Sequence, residues 1–209
     1  MARTSAEPLG DQVSMLLERV KELRRAGDFG VLVAAARDAA DEIERRVGEH
    51  WGDSEREAMA VVRRFTFNAA ADVWPGWSVT DKAPDTRNLL AAQELALRSV
   101  RLTKLLGLGL VQQATGIWLC GAFDLALGRY AEALSIFVDA RDRYIAAEAP
   151  GLVLLMEGYI AIVRQISGEQ IQVDAQSLDK VTANIAAAGF EDGAEWIEQL
   201  HTALKVFAR

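Results

Sequence analysis

The chain has 209 residues, a single cysteine and a formal net charge of −7, with about half its residues hydrophobic and a quarter charged. That length suits one large domain or one repeat array with a real core. The acidic balance repels phosphate backbones, so nucleic acid is not expected as a partner. Cys120 cannot form an internal disulfide, so the fold does not depend on an oxidising compartment, and a cytoplasmic location is expected.

Residues 1–10 are polar and lack the apolar run of a secretory signal, which makes them a flexible lead-in. Residues 11–209 read as one helical domain. Val13, Leu16, Leu17, Val20 and Leu23 form an apolar stripe at spacings of three and four, and charges cover the other faces. Gly27-Asp28 ends that helix. A second, rich in alanine, is expected from about Phe29 to Val47. Ser54 with Glu57 matches a capping box and starts a third helix, which runs to about Val73. Trp74-Pro75-Gly76-Trp77 stops it, since proline cannot continue the helical ladder.

A polar loop from Ser78 to Asp85 follows, then helices at about Thr86–Leu106, Leu110–Leu127, Tyr130–Glu148 and Leu152–Ile166. Gly128, Pro150 and Gly168 punctuate them. Asp174–Ala188 and Gly193–Phe207 complete about nine helices, the last with Asp192 as its candidate cap. Nothing alternates with a strand's period. The stretch Leu105–Leu127 is long enough to cross a bilayer, and Asp124 is its only charge. Gly107, Gly109, Gln112, Gln113 and Thr115 interrupt it, so it reads as a turn and a central buried helix, and no membrane is expected.

Antiparallel helices joined by a few residues invite a search for a repeat. Trp118-Leu119-Cys120-Gly121, Gly128-Arg129-Tyr130-Ala131-Glu132-Ala133, Phe137 and Ala140 together resemble a tetratricopeptide repeat. The resemblance implies that Gly121 packs against Ala133, Gly128 makes the turn, Tyr130 and Phe137 fill the space between helices, and Ala140 admits the next pair. Gly158, about one repeat further on, looks like a second Gly121. The Trp74–Asp85 connection is longer than the family allows. The fold class implied is all-α, with stacked antiparallel helix pairs in a tetratricopeptide-like superhelix.

The resemblance also places the first helix of each pair on the inner face. That face then carries Trp118, Ala122 and Leu125, followed by Leu155, Tyr159 and Ile162. Such an apolar strip must be covered, either by the chain's own terminal helices or by an amphipathic helix from a second chain.

Chemistry is sparse. His50 and His201 have no second histidine or cysteine at metal-ligand spacing, so no metal or cofactor is expected. Cys120 sits in an apolar segment with no histidine nearby, as a packed thiol does. Asp124, the sole charge on its helix, needs a partner such as Arg98, Arg101 or Arg141, and Glu157 stands similarly. Arg98, Arg101 and Lys104 form a basic stripe that either pairs with acidic helices or meets an anionic ligand. Trp74 and Trp77 either pack the long loop or line a pocket. Two readings follow. One is a non-catalytic scaffold that binds an apolar or amphipathic helical segment of a protein or peptide, or associates with itself. The other is a domain binding a small anionic or aromatic molecule near Trp74, Trp77, Arg98 and Arg101.

Overall fold

In a computed structural model of the chain, the residues described are 28–48, 52–77, 79, 83–168 and 176–208, together with positions 14, 15, 18, 19, 22 and 23. They form α1 (Phe29–Val47), α2 (Asp53–Val73), a 3-10 turn (Pro75–Trp77), α3 (Thr86–Leu105), α4 (Leu110–Ala126), α5 (Tyr130–Ala146), α6 (Pro150–Ser167), α7 (Leu178–Ala188) and α8 (Gly193–Phe207). The fold is all-α, with no strand among the described residues. The expected helix over Val13–Leu23 falls mostly outside the described residues. Those of it that are described are helical, and Leu23 is buried. His50, Trp51 and most of Ser78–Lys82 also lie outside.

Local chemistry accounts for most of the boundaries. Asp28 caps α1 by accepting from the Val31 amide at 3.1 Å, and Asp85 caps α3 by accepting from that of Asn88 at 2.8 Å. Ser177 does the same for α7 through the Lys180 amide. The capping box expected at Ser54 and Glu57 does not form. Instead α2 starts at Asp53 behind Gly52, and the Ser54 hydroxyl donates to Glu55. Asp192 stands at the start of α8 but makes no capping bond. Pro150 occupies the first turn of α6, where its missing N–H costs nothing, so this helix begins two residues earlier than expected.

The turns joining α3 to α6 share one plan. Leu108, Arg129 and Ala149 donate their amides back to the carbonyls of Thr103, Asp124 and Tyr144, while Gly107, Gly128 and Glu148 donate to Lys104, Leu125 and Ile145. This double bond pattern closes a helix through one left-handed residue. That residue is Gly107 (φ +68°), Gly128 (φ +72°) and then Glu148 (φ +54°). Consecutive helices therefore fold back on one another, and each packs against its neighbours in sequence from α1 to α7.

The apolar stretch 105–127 is divided by the first of these turns. Its second part is α4, where eleven residues from Ala114 to Leu125 are buried, including Asp124. Among the described residues, no helix is long and apolar enough to cross a membrane. The C-terminal α8 leaves the stacking order. It packs on α6 and α7 and reaches the 3-10 turn after α2. Its apolar stripe of Trp196, Leu200, Ala203 and Phe207 recurs at helical spacing.

Candidate functional site

The residues expected on the inner face do come together. Trp118, Ala122 and Leu125 of α4 and Leu155, Tyr159 and Ile162 of α6 are all buried. They are covered within the chain, so they do not line an open groove. Leu200 of α8 fills the notch left by Gly158, and Trp196 fills that left by Gly151, where an added Cβ would meet the indole at 2.6 Å. Gln199 donates to the Tyr159 hydroxyl at 2.5 Å.

At the centre is a group of aromatic rings. The Trp74 indole lies 5.6 Å from Trp118 and 5.9 Å from Tyr159, between ring centroids, and 6.1 Å from Phe207 of α8. Trp118 and Tyr159 are 5.8 Å apart, and Phe137 of α5 stands 5.2 Å from Tyr159. Such edge-on and tilted pairs add to the area they bury. Gly76 lets the 3-10 turn fold directly over the Trp74 ring, where any side chain would collide with it. The Trp74 N–H donates to the Ala122 carbonyl at 3.0 Å. Burial pushes the Tyr159 phenol well above its ordinary range, and the Gln199 and Trp118 donors only partly offset this. The Trp118 N–H is buried and lacks a well-formed hydrogen bond. The Tyr159 hydroxyl is the acceptor it faces.

The other candidate residues do not form one pocket. Trp74 is fully buried, but Trp77 is 43% exposed. Its indole N–H donates to Ala71 at the end of α2 at 2.6 Å, and its ring stands 4.9 Å from Trp74. Arg98 and Arg101 instead face α1. Arg98 donates to Glu44 at 2.6 Å and to Asp41 at 2.7 Å, and Arg101 donates to Glu44 at 2.5 Å. Burial works against the Arg98 charge, yet Glu44 and Asp41 hold its guanidinium above the ordinary value. Of the two readings of the basic stripe, the structure shows the ion pairs.

Asp124 is paired by none of the arginines expected for it. It accepts from Gln93 at 2.8 Å and from Arg129 at 3.3 Å. Arg129 is only five residues away, and the turn at Gly128 brings it back over the end of α4. A carboxylate five residues before an arginine across a glycine turn was the available signal. Arg141 is taken by Glu157 and Asp142. Burial, and then the neighbouring Asp124, push the Cys120 thiol up to about 12, so it is not a thiolate at neutral pH. His201 is exposed on α8. Among the described residues, no three histidine, cysteine or carboxylate side chains gather as a metal site.

Gly121 packs as expected against the second helix of its pair, although against different side chains. A Cβ there would lie 2.9 Å from Ile136 and 3.0 Å from Phe137, and Ala133 is not among its nearest neighbours. Gly158 differs, since it faces α8. Helix α4 begins at Leu110 and α6 at Pro150, a step of 40 residues, which puts Ala161 and not Gly158 in register with Gly121.

The described residues also leave open cavities, two of which lie at junctions between helices. One, of about 360 Å³, lies between the starts of α1 and α3 and is lined by Asp28, Arg37, Asp85, Arg87 and Asn88 among others. The other, of about 560 Å³, lies where α5 turns into α6 beside the end of α7. The chain matches no known family model, no curated protein and no solved structure.

Proposed function

We propose that this protein is a non-catalytic interaction module, a scaffold of stacked helix pairs that holds an amphipathic helical segment of a partner protein. Its helix pairs resemble those of the tetratricopeptide repeat, which presents an extended surface built from successive helix pairs. The step from α4 to α6 is 40 residues, against about 34 in that family. The free thiol of Cys120 suits a cytoplasmic setting.

One observation supports the reading: the face read as the inner one is covered by a helix. Helix α8 lies across α6 with Trp196 and Leu200 seated in glycine notches, and its Phe207 reaches Trp74. Glycine inside a helix costs about 1 kcal/mol against alanine, so Gly151 and Gly158 mark places where the surface is shaped for an incoming side chain. In this state the site belongs to α8, and an external helix has to bind at surface that α8 leaves open.

Quantitative affinity capture with the full chain as bait, together with sedimentation velocity of the purified protein, tests the reading. A specific protein partner or concentration-dependent self-association is expected. A chain that stays monomeric and captures nothing beyond control, over a range of salt, would overturn it.

A further inference from the structure

The cleft beside the α5–α6 turn is an open surface that is both concave and apolar. Ile145, Val153, Leu154 and Phe190 line it, with Pro150 and Glu148 at its edge. Ile145 is 55% exposed, and Val153, Leu154 and Phe190 are partly exposed. Scattered apolar residues need no explanation, but a contiguous concave group of them does.

Both walls are preformed. On one side the α5–α6 turn is closed by the Glu148 and Ala149 amides, which donate to Ile145 and Tyr144, each at 3.0 Å. On the other, the Phe190 ring packs at a tilt against Trp196, 5.7 Å between centroids, and Trp196 is itself seated over Gly151. The Gly193 amide donates to the Phe190 carbonyl at 3.0 Å, which fixes the turn that carries the ring.

The charge around the cleft has one sign. Residues 144–163 and 185–204 contain no lysine or arginine. Glu148 stands at the edge, Glu191 and Asp192 directly follow Phe190, and all three are exposed. None of them makes an ion pair among the described residues. The nearest cations on α5 are spent, since Arg143 pairs with Asp139 and Arg141 with Asp142 and Glu157.

We infer that this cleft docks a basic amphipathic helical segment of a partner protein, with apolar side chains on the Ile145–Phe190 floor and lysine or arginine against Glu148, Glu191 and Asp192. The inference rests on the reading of the chain as an interaction module and gives that module a location and a partner chemistry. A second copy of the chain is a poorer occupant. In a two-fold contact each copy brings the same acidic edge, and like charges meet.

The test uses the full chain and two short labelled helix-forming peptides of one pattern, one of leucine and lysine and the other of leucine and glutamate. Binding is read by fluorescence anisotropy at low and high salt. The leucine–lysine peptide binds, more weakly as salt rises, and the leucine–glutamate peptide does not. Ile145→Lys and the double variant Glu191→Lys/Asp192→Lys each weaken binding by about tenfold or more. Both sites are exposed, so circular dichroism stays as in the parent, and only the double variant, whose lysines oppose the dipole at the start of α8, melts slightly lower.

Equal binding of the two peptides, or no binding of either, overturns the inference. So does full binding to Ile145→Lys with hydrogen-exchange protection mapping elsewhere, an outcome that leaves the interaction module standing. A dimer in the parent that is lost in Ile145→Lys assigns the cleft to a second copy and also overturns it. The module reading fails separately, when affinity capture and sedimentation both come back empty.

Discussion

The α4–α5 hairpin and the seat of α8 on α6 use the same device, a glycine that admits a neighbour's side chain, but to different ends. In the hairpin, Gly121 receives Ile136 and Phe137 from the helix that follows it in sequence. At the C-terminus, Gly151 and Gly158 of α6 receive Trp196 and Leu200 from a helix that has left the stack. Helix α4 buries eleven of its residues, whereas α8 buries only Gly193, Leu200 and Ala203 fully. The hairpin is held along its whole length. The closing helix is held at a few large side chains. Local stability follows the density of buried contacts, so α8 belongs to the weaker part of the molecule.

Trp74 joins the two regions, and the largest expected effect is there. It is fully buried, bonded to α4 through Ala122 and packed on Tyr159 and Phe207. Trp74→Ala should cost about 3–5 kcal/mol in urea unfolding, the usual loss for a buried tryptophan. Trp77 would cost as much if the loop after α2 were packed around it. With 43% of it exposed, Trp77→Ala should cost about 1–2 kcal/mol, mainly for the bond to Ala71 and the partly covered ring. Equal losses would mean that the two indoles form one unit and that Trp74 is not the joint.

The glycines separate the regions directly. Gly121→Leu has to displace a phenylalanine ring and a β-branched side chain inside the hairpin, and should destabilise the whole fold by about 3 kcal/mol. Gly158→Leu collides first with the Leu200 side chain of α8, and the added leucine favours helix over glycine. It should expel α8 while the hairpin stays folded. Hydrogen exchange distinguishes them. Gly158→Leu loses protection over 193–207, whereas Gly121→Leu loses it throughout α4 and α5. Loss of protection across the stack in Gly158→Leu would show that α8 is integral to the core.

The same contrast explains what could be read from the sequence. Helix positions in the stack follow from apolar spacing, and turns at Gly107 and Gly128 follow from glycine, because both are local. The burial of Trp118, Leu155 and Tyr159 follows from the rule that a long apolar strip must be covered. Cover by one of the chain's own terminal helices was among the expected alternatives, but which of them does so, and through which side chains, did not follow. Leu200, Gln199 and Phe207 meet α6 and the 3-10 turn only because α8 departs from the stacking order, and no local pattern records that departure. The pairing of Arg98 with Glu44 likewise depends on α1 and α3 lying side by side, at a separation of 54 residues. The cleft at Ile145 was missed because its floor joins the end of α5 to Phe190, far along the chain.

A smaller effect probes the hairpin interior alone. Cys120 is held as the neutral thiol up to about 12, against about 9 for a free thiol. Below pH 9 both folded and unfolded chains carry the neutral group, and its contribution does not change. As pH rises from 9 toward 12 the unfolded chain ionises first, so folding stability falls by about 1.4 kcal/mol per unit. Comparison of urea unfolding at pH 8 and 10 for the parent and Cys120→Ala isolates this slope. The parent should lose about 1.4 kcal/mol more than the variant. An equal loss in both would mean that water reaches the thiol in the folded hairpin.

The smallest expected effect lies at Glu148, where the hairpin region meets the closing pair. Three turns of identical hydrogen bonding follow α3, α4 and α5, and glycine holds the left-handed position in the first two. In the third, Glu148 holds it at φ +54°. A side chain there sets Cβ against the following carbonyl, at a cost of roughly 1–2 kcal/mol. Glycine removes that strain but frees the unfolded chain, which returns roughly half of the gain. Glu148→Gly should therefore raise stability by about 0.5–1 kcal/mol, a small upward shift in melting temperature. No backbone bond changes, since the Glu148 amide still donates to Ile145. What the protein keeps by tolerating the strain is a carboxylate at the edge of the apolar cleft. The variant should accordingly melt higher and bind the leucine–lysine peptide less tightly. A variant that gains stability and loses no affinity would show that the strained residue serves no docking purpose. One that loses stability would show that the Glu148 side chain supports the turn through contacts stronger than the strain it imposes.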